Sequence, residues 1–279
     1  MTTREFRFGI NLFATGERSA WHDQARRVED LGYDVLLVPD HLGMPAPFPA
    51  LVSAAEATTR PKLGTLVLNA GFYKPALLAR DVAAVGELTD GRFELGLGAG
   101  YVEEEFTAAE LPFPSARQRV DYLEHTTIEV NRLLGEAGQR VPLMIAGQGD
   151  RVLGLAAKHA DIVAIAGART GAEQGLVEPL AERVDVIRAA AGDRFDQLEL
   201  SLLITSVHLD GDELDLSLPR RFYPDLSDEE LLALPGVLHG SERGIADTLH
   251  EYREKYGITY FTVTGLSVEP FGKVISQLR

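Results

Sequence analysis

The chain has 279 residues, 45% of them hydrophobic and 25% charged, values that suit one large domain with an ordinary core. Against 27 basic side chains stand 42 acidic ones, and the net charge of −15 repels phosphate backbones and anionic membrane surfaces, which argues against nucleic acid and membrane as partners. With no cysteine, disulfides, thiolate metal sites and cysteine nucleophiles are excluded. The charged start at residues 1–7 lacks the apolar core of a signal peptide, and no apolar run reaches the roughly 18 residues of a spanning helix, so the expected location is the cytoplasm.

Strand-like and helix-like segments then alternate along the chain. Residues 6–11 (FRFGIN) form a first apolar strand. A helix over 20–31 places Trp21, Ala25, Val28 and Leu31 on one face and stops at Gly32. The run 34–38 (DVLLV) is continuously apolar, as a parallel strand buried on both faces must be. A helix at 49–59, a third strand at 62–68 and a helix at 75–88 follow, the last with proline in its first turn. The fourth strand is 92–97, followed by an amphipathic helix at 116–134. Strands at 141–146, 161–166, 198–205 and 259–263 alternate with helices at 151–158, 173–191 and 241–256, and a last helix covers 270–278. Eight strand–helix units in this length predict one closed (β/α)8 barrel domain over 1–279, with an irregular excursion at 210–234.

In such a barrel the reactive groups lie in the loops after the strands. Asn11 follows the first strand, Asp40 and His41 the second, Asn69 to Tyr73 the third, and Thr264 and Gly265 the eighth. A histidine at a strand mouth can carry a proton near neutral pH, and a neighbouring aspartate can orient it or simply cap a turn. The glycines of Gly96, Gly98 and Gly100 either let a backbone approach a ligand or make a tight turn; Tyr101 stands where a dinucleotide fingerprint needs glycine or alanine. The loop of Ala146, Gly147, Gln148, Gly149 and Asp150 opens a helix. It reads either as a phosphate site helped by Arg151 and Arg169, or as a glycine-rich turn with Asp150 as N-cap. The acidic run Glu103, Glu104 and Glu105 reads either as a solvated face or as functional carboxylates. Phe72, Tyr73, Phe106 and Phe222 are candidates for an apolar pocket. The histidines have no metal-ligand spacing, so no metal is expected, and no GxSxG elbow appears.

Together these segments resemble the luciferase-like monooxygenase superfamily and, within it, the deazaflavin (coenzyme F420)-dependent oxidoreductases. The carrying residues are FGIN (8–11), LGYD (31–34), VPDH (38–41), LGTLVLN (63–69), KPALLARD (74–81), LTDGRFELGLGAGY (88–101) and VPLMIAGQG (141–149). The resemblance implies a cofactor ring, F420 or alternatively FMN, at the barrel mouth, and a non-proline cis peptide at the bond matching Leu66–Val67. It implies cofactor contacts from Asn11, Leu66, Val67, Asn69, Gly98, Ala99, Gly100, Tyr101 and Ala146 to Gly149, with His41 as proton relay partnered by Asp40. Hydride transfer to or from a small organic molecule is the expected activity. The alternatives are an FMN-dependent monooxygenase and a barrel that binds deazaflavin without turnover. Two positions depart from the deazaflavin-dependent sugar-phosphate dehydrogenases: Tyr101 replaces a carboxylic acid and Pro45 a tryptophan. A dimer is common in the family resembled.

Overall fold

A computed structural model describes residues 4–13, 16–166 and 179–279. The barrel strands are β1 (Arg7–Asn11), β2 (Val35–Val38), β3 (Lys62–Thr65) with β4 (Leu68–Asn69), β5 (Phe93–Gly98), β6 (Leu143–Gly147), β7 (Ile162–Ile165), β8 (Glu199–Ile204) and, after the excursion, β11 (Ile258–Thr264). Every pairing between them is parallel. The order runs β3-β2-β1-β11-β8-β7-β6-β5-β4, and a β3–β5 pairing closes the ring. Eight strand positions therefore make the closed barrel that the alternating pattern predicts.

Helices α1 (Arg18–Asp30), α2 (Pro47–Ala57), α3 (Pro75–Leu88), α4 (Glu103–Ala108), α5 (Ala116–Glu136), α6 (Asp150–His159) and α7 (Leu180–Ala191) follow their strands. The first part of the helix expected from residue 173 lies outside the described residues. Along α1 the apolar spacing buries Trp21, Ala25 and Val28 against the barrel. A capping box at Ser115 and Gln118 starts α5 by satisfying orphan backbone donors at its N-terminus. The larger core lies between helices and strands, while a smaller cluster of Val35, Leu37, Met144, Ile162, Ala164 and Tyr260 fills the inside of the barrel.

Two expectations change. The third strand is not continuous: β3 and β4 are separated at Leu66–Val67, whose peptide bond is cis, as the resemblance implies. The Thr65 hydroxyl there donates to the Gly96 carbonyl at 2.8 Å and accepts from the Gly96 N–H at 2.9 Å, doing side-chain work where the ladder is interrupted. The excursion is also not irregular. Strands β9 (Ser206–Leu209) and β10 (Val237–Gly240) pair in parallel and carry α8 (Ser217–Phe222) and α9 (Asp228–Leu232) between them. Leu216, Tyr223, Leu226, Leu231, Leu234 and Val237 give this insert its own apolar cluster. The chain then closes with α10 (Glu242–Tyr256), β11 and α11 (Val268–Leu278).

Candidate active site

Parallel strands all end on one face, so the loops after β1, β2, β4, β5, β6, β8 and β11 share it. His41 follows β2, and its Nδ1 lies 2.7 Å from Oε1 of Glu105 on α4. A carboxylate only accepts, so Nδ1 is the protonated nitrogen of the neutral ring and Nε2 is left as the acceptor. Glu105 is largely covered, with its side chain 15% exposed, while Glu103 and Glu104 on the same turn are exposed. Phe106, the next residue, packs between Phe72 and Phe113 at 5.2 Å from each ring and fixes the phase of the short helix. The imidazole's carboxylate partner is thus Glu105 and not the adjacent Asp40, and one member of the acidic run is no solvated loop residue.

Asp40 holds a different set of groups. Its Oδ2 accepts from the Asn69 N–H at 3.1 Å, and the Tyr73 hydroxyl donates to it. Asn69 Oδ1 in turn accepts from the Gly71 N–H at 3.0 Å. Burial pushes the Asp40 carboxyl above the usual range, against the pull of Asn69, Tyr73 and His41, and Glu105 adds to the rise. A raised folded-state pKa means that the native protein binds this proton more tightly than the unfolded chain. The native state therefore gains from that proton below the unfolded value, and the gain is lost as pH rises through the folded one. Asp40→Asn removes the titration. As pH climbs from about 4, the wild type should lose stability relative to Asp40→Asn, as read from urea midpoints at each pH. A difference independent of pH, or one of opposite slope, rejects this account.

The glycine series is explained by sterics. A Cβ on Gly96 would sit 1.9 Å from the Thr65 carbonyl oxygen, one on Gly98 2.6 Å from Val67 Cγ2, and one on Gly100 2.2 Å from Asn69 Oδ1. Gly100 also has φ +72°. These residues make room for the interrupted third strand and for Asn69; Ala99 between them packs on the core. Arg119 donates from Nε to the Gly100 carbonyl at 2.9 Å and lies over the Phe113 ring, which ties the segment to α5.

Asn11 ends β1 beside Thr264 of β11. Its Nδ2 donates to the Leu66 carbonyl at 3.3 Å, while Asn11 Oδ1 and Thr264 Oγ1 are buried with no hydrogen-bond partner among the described residues. Leu66 and Ala146 pack on the inner cluster. In the loop after β6, Gly149, not Asp150, is the N-cap of α6, and no side chain caps that helix. Gln148 Nε2 donates to the Ala166 carbonyl at 2.8 Å. Arg151 turns away to pair with Asp121 and the Arg117 carbonyl. Its place beside the loop is taken by the buried Arg183, which donates to Asp150 at 2.5 Å and faces the Gln148 carbonyl at 3.5 Å. Arg169 lies outside the described residues. Of the aromatic candidates, Phe106 is core, Tyr73 is committed to Asp40, and Phe222 stands exposed on the insert.

Glu105 was read from the sequence only as one of an acidic run, and Arg183 was not singled out; nothing in the sequence linked Glu105 to His41, 64 residues away, or Arg183 to Asp150, 33 residues away. Among the described residues no cluster of three or more potential metal ligands occurs, and no helix is long and apolar enough to cross a membrane.

The chain is similar in sequence and fold to known proteins. An F420-dependent glucose-6-phosphate dehydrogenase of Intrasporangium calvum is 34% identical over 125 residues, 41% of this chain and 37% of that protein. A 5,10-methylenetetrahydromethanopterin reductase of Archaeoglobus fulgidus is 28% identical over 208 residues, 68% of this chain and 61% of that one. The chain thus matches less than two thirds of the length of either relative. An F420-dependent secondary alcohol dehydrogenase in complex with an F420–acetone adduct shares the fold, with TM-score 0.75 at 17% identity over 99% of this chain and 100% of that one. The family profile described as luciferase-like monooxygenase matches residues 7–257, and the chain belongs to that family.

Proposed function

We propose that this chain is an oxidoreductase that binds the deazaflavin coenzyme F420 across the C-terminal mouth of the barrel and exchanges a hydride with a small organic substrate. The observation that carries the reading is the His41–Glu105 pair at that mouth, on the same barrel face as an uncapped helix N-terminus flanked by Arg183. The residues present fit such a group. Asn11 Oδ1 and Thr264 Oγ1 are buried polar atoms without a partner among the described residues, and the start of α6, which no side chain caps, suits a phosphate.

When bound, the cofactor supplies the redox chemistry. Asn11, Leu66, Val67 and Asn69 would line the ring, the backbone of Gly98, Ala99, Gly100 and Tyr101 its edge, and Ala146, Gly147, Gln148 and Gly149 with Arg183 the phosphate. His41 is the proton carrier. With Nδ1–H held by Glu105, its Nε2 accepts a proton from the substrate side or returns one, and the carboxylate stabilises the imidazolium in between. Asp40 positions Asn69 and Tyr73.

Fluorescence titration of the purified protein with F420 and, separately, with FMN tests the reading. Expected is a dissociation constant of about micromolar for F420 with weaker binding of FMN. Preference for FMN reassigns the chain to flavin monooxygenase chemistry. Binding of neither removes the cofactor reading, and tight F420 binding without hydride transfer to any alcohol, carbonyl or activated alkene leaves a binding protein.

A further inference from the structure

Tyr101, in the loop after β5, is 69% exposed. Its ring centroid lies 6.2 Å from that of His41, and the two planes cross at 82°. Two rings set nearly at right angles make a corner, and one of them is the proton carrier of the proposed function. Direct contacts hold the corner together. His41 Nδ1 lies 2.7 Å from Glu105 Oε1, on the helix that begins two residues after Tyr101. The His41 carbonyl accepts from the Met44 N–H at 3.1 Å and closes a turn that also exposes Leu42 and Met44. An exposed tyrosine alone is ordinary surface. One set against a proton-carrying histidine is a wall for whatever that histidine acts on, since small-molecule sites combine aromatic surface with a few placed polar groups.

The charge around this corner is negative. Glu103, Glu104 and Glu105 form the first turn of α4. Partial desolvation of the hydroxyl and then Glu105 raise the Tyr101 pKa, and Arg221 opposes them more weakly. Arg119 turns its guanidinium to the Gly100 and Pro114 carbonyls and over the Phe113 ring. On a chain of net charge −15, an anion brought to this imidazole meets carboxylates close by and an unfavourable field further out. An uncharged ligand meets neither.

We propose that the substrate is an uncharged alcohol or ketone carrying an aromatic or alicyclic ring, with the ring against Tyr101 and the oxygen at His41 Nε2, and that Tyr101 sets this choice. This names the substrate class of the proposed function and rests on that reading. The two walls of the corner divide the work. The Tyr101 ring takes apolar surface out of water, and the imidazole fixes the one polar group by a hydrogen bond. In the oxidative direction the alcohol gives its hydroxyl proton to Nε2 and its carbon-bound hydrogen, as hydride, to oxidised deazaflavin, and leaves as the ketone. A small alcohol or ketone without a ring gains little from Tyr101. A ring that bears a carboxylate gains the stacking but stands against the charge of α4.

The test follows the imidazole Cε1–H signal of His41 by NMR in the intact protein, alone and with F420 added. Among the seven histidines that signal is the one lost in His41→Ala. The probes are acetone, acetophenone and 4-acetylbenzoate, which share the methyl ketone and differ in the ring and the charge. Expected is a saturable shift with acetophenone, at an affinity about tenfold or more above that of acetone and about fivefold or more above that of 4-acetylbenzoate. Tyr101→Ala should weaken acetophenone by about three- to tenfold and leave acetone unchanged, the size of one aromatic pair. Tyr101→Phe should keep the wild-type affinity, and Leu88→Ser, on the outer helix α3, should change nothing. Acetone or 4-acetylbenzoate binding as tightly as acetophenone overturns the proposal, as does an acetophenone affinity untouched by Tyr101→Ala. So does a loss in Tyr101→Phe equal to that in Tyr101→Ala, which would assign the effect to the hydroxyl. F420 affinity is measured on the same variants. A protein that binds F420 while acetophenone leaves His41 unmoved sinks this inference alone. One that binds no F420 but shows the expected ketone pattern sinks the cofactor reading alone.

Discussion

Gly96→Ala should destabilise the protein by more than about 3 kcal/mol, the upper end of the usual penalty for overpacking, and leave little of it folded. The new methyl would lie 1.9 Å from the Thr65 carbonyl oxygen and 2.9 Å from its carbonyl carbon. These are backbone atoms, and rotamer changes cannot relieve the overlap. β3 is held on one side by β2 and on the other by β5 itself, so moving Thr65 away breaks ladder bonds on both sides. The two hydrogen bonds between the Thr65 side chain and Gly96 would go as well. Urea unfolding measures the loss directly through the midpoint. The matched control is Gly149→Ala, where φ is −78° and nothing lies within 4 Å of the new Cβ. That change should stay within about 1 kcal/mol of the wild type. Equal midpoints for Gly96→Ala and wild type would mean that the third strand does not approach the fifth as described.

This glycine shows what the sequence could and could not say. The three glycines at 96, 98 and 100 stood out, but two explanations stayed open, a tight turn or a close approach to ligand. The structure adds a third: Gly96 and Gly98 accommodate an interrupted neighbouring strand. The interruption itself was invisible as a pattern, since Leu66 and Val67 are as strand-forming as the residues around them, and residues 62–68 read as one run. The remaining barrel strands were legible because a parallel strand buried on both faces is a continuous apolar run, as in Val35–Val38 and Ile162–Ile165. The insert was not. Its helices are six and five residues long, too short for a helical period to show. At the mouth, sequence position identified the residues that follow strands, Asn11, Asp40, His41 and Asn69 among them. It could not identify Glu105, because three adjacent glutamates differ only in phase, and that phase is set by where Phe106 packs.

His41→Ala is expected to lower turnover by about 10² to 10⁴-fold, the usual weight of a positioned proton carrier, while F420 affinity stays within about threefold of wild type. The rate would be followed by F420 absorbance on whichever alcohol, carbonyl or activated alkene a screen returns as substrate. The split follows from geometry: the imidazole is anchored through Nδ1 to Glu105, which leaves Nε2 for proton exchange, whereas the groups proposed to hold the cofactor belong to β1, the third strand and the α6 loop. Glu105→Gln makes the sharper measurement. Its amide oxygen can still accept from Nδ1–H, so the ring stays oriented, but the negative charge that stabilises an imidazolium is gone. Turnover should fall by about tenfold, less than for His41→Ala, and the two losses should not multiply in the double variant, since Glu105 acts only through His41. Free imidazole should restore part of the rate to His41→Ala and none to Glu105→Gln. If His41→Ala turns over at the wild-type rate, proton transfer lies elsewhere at the mouth. If the losses multiply, Glu105 has a task of its own toward the substrate.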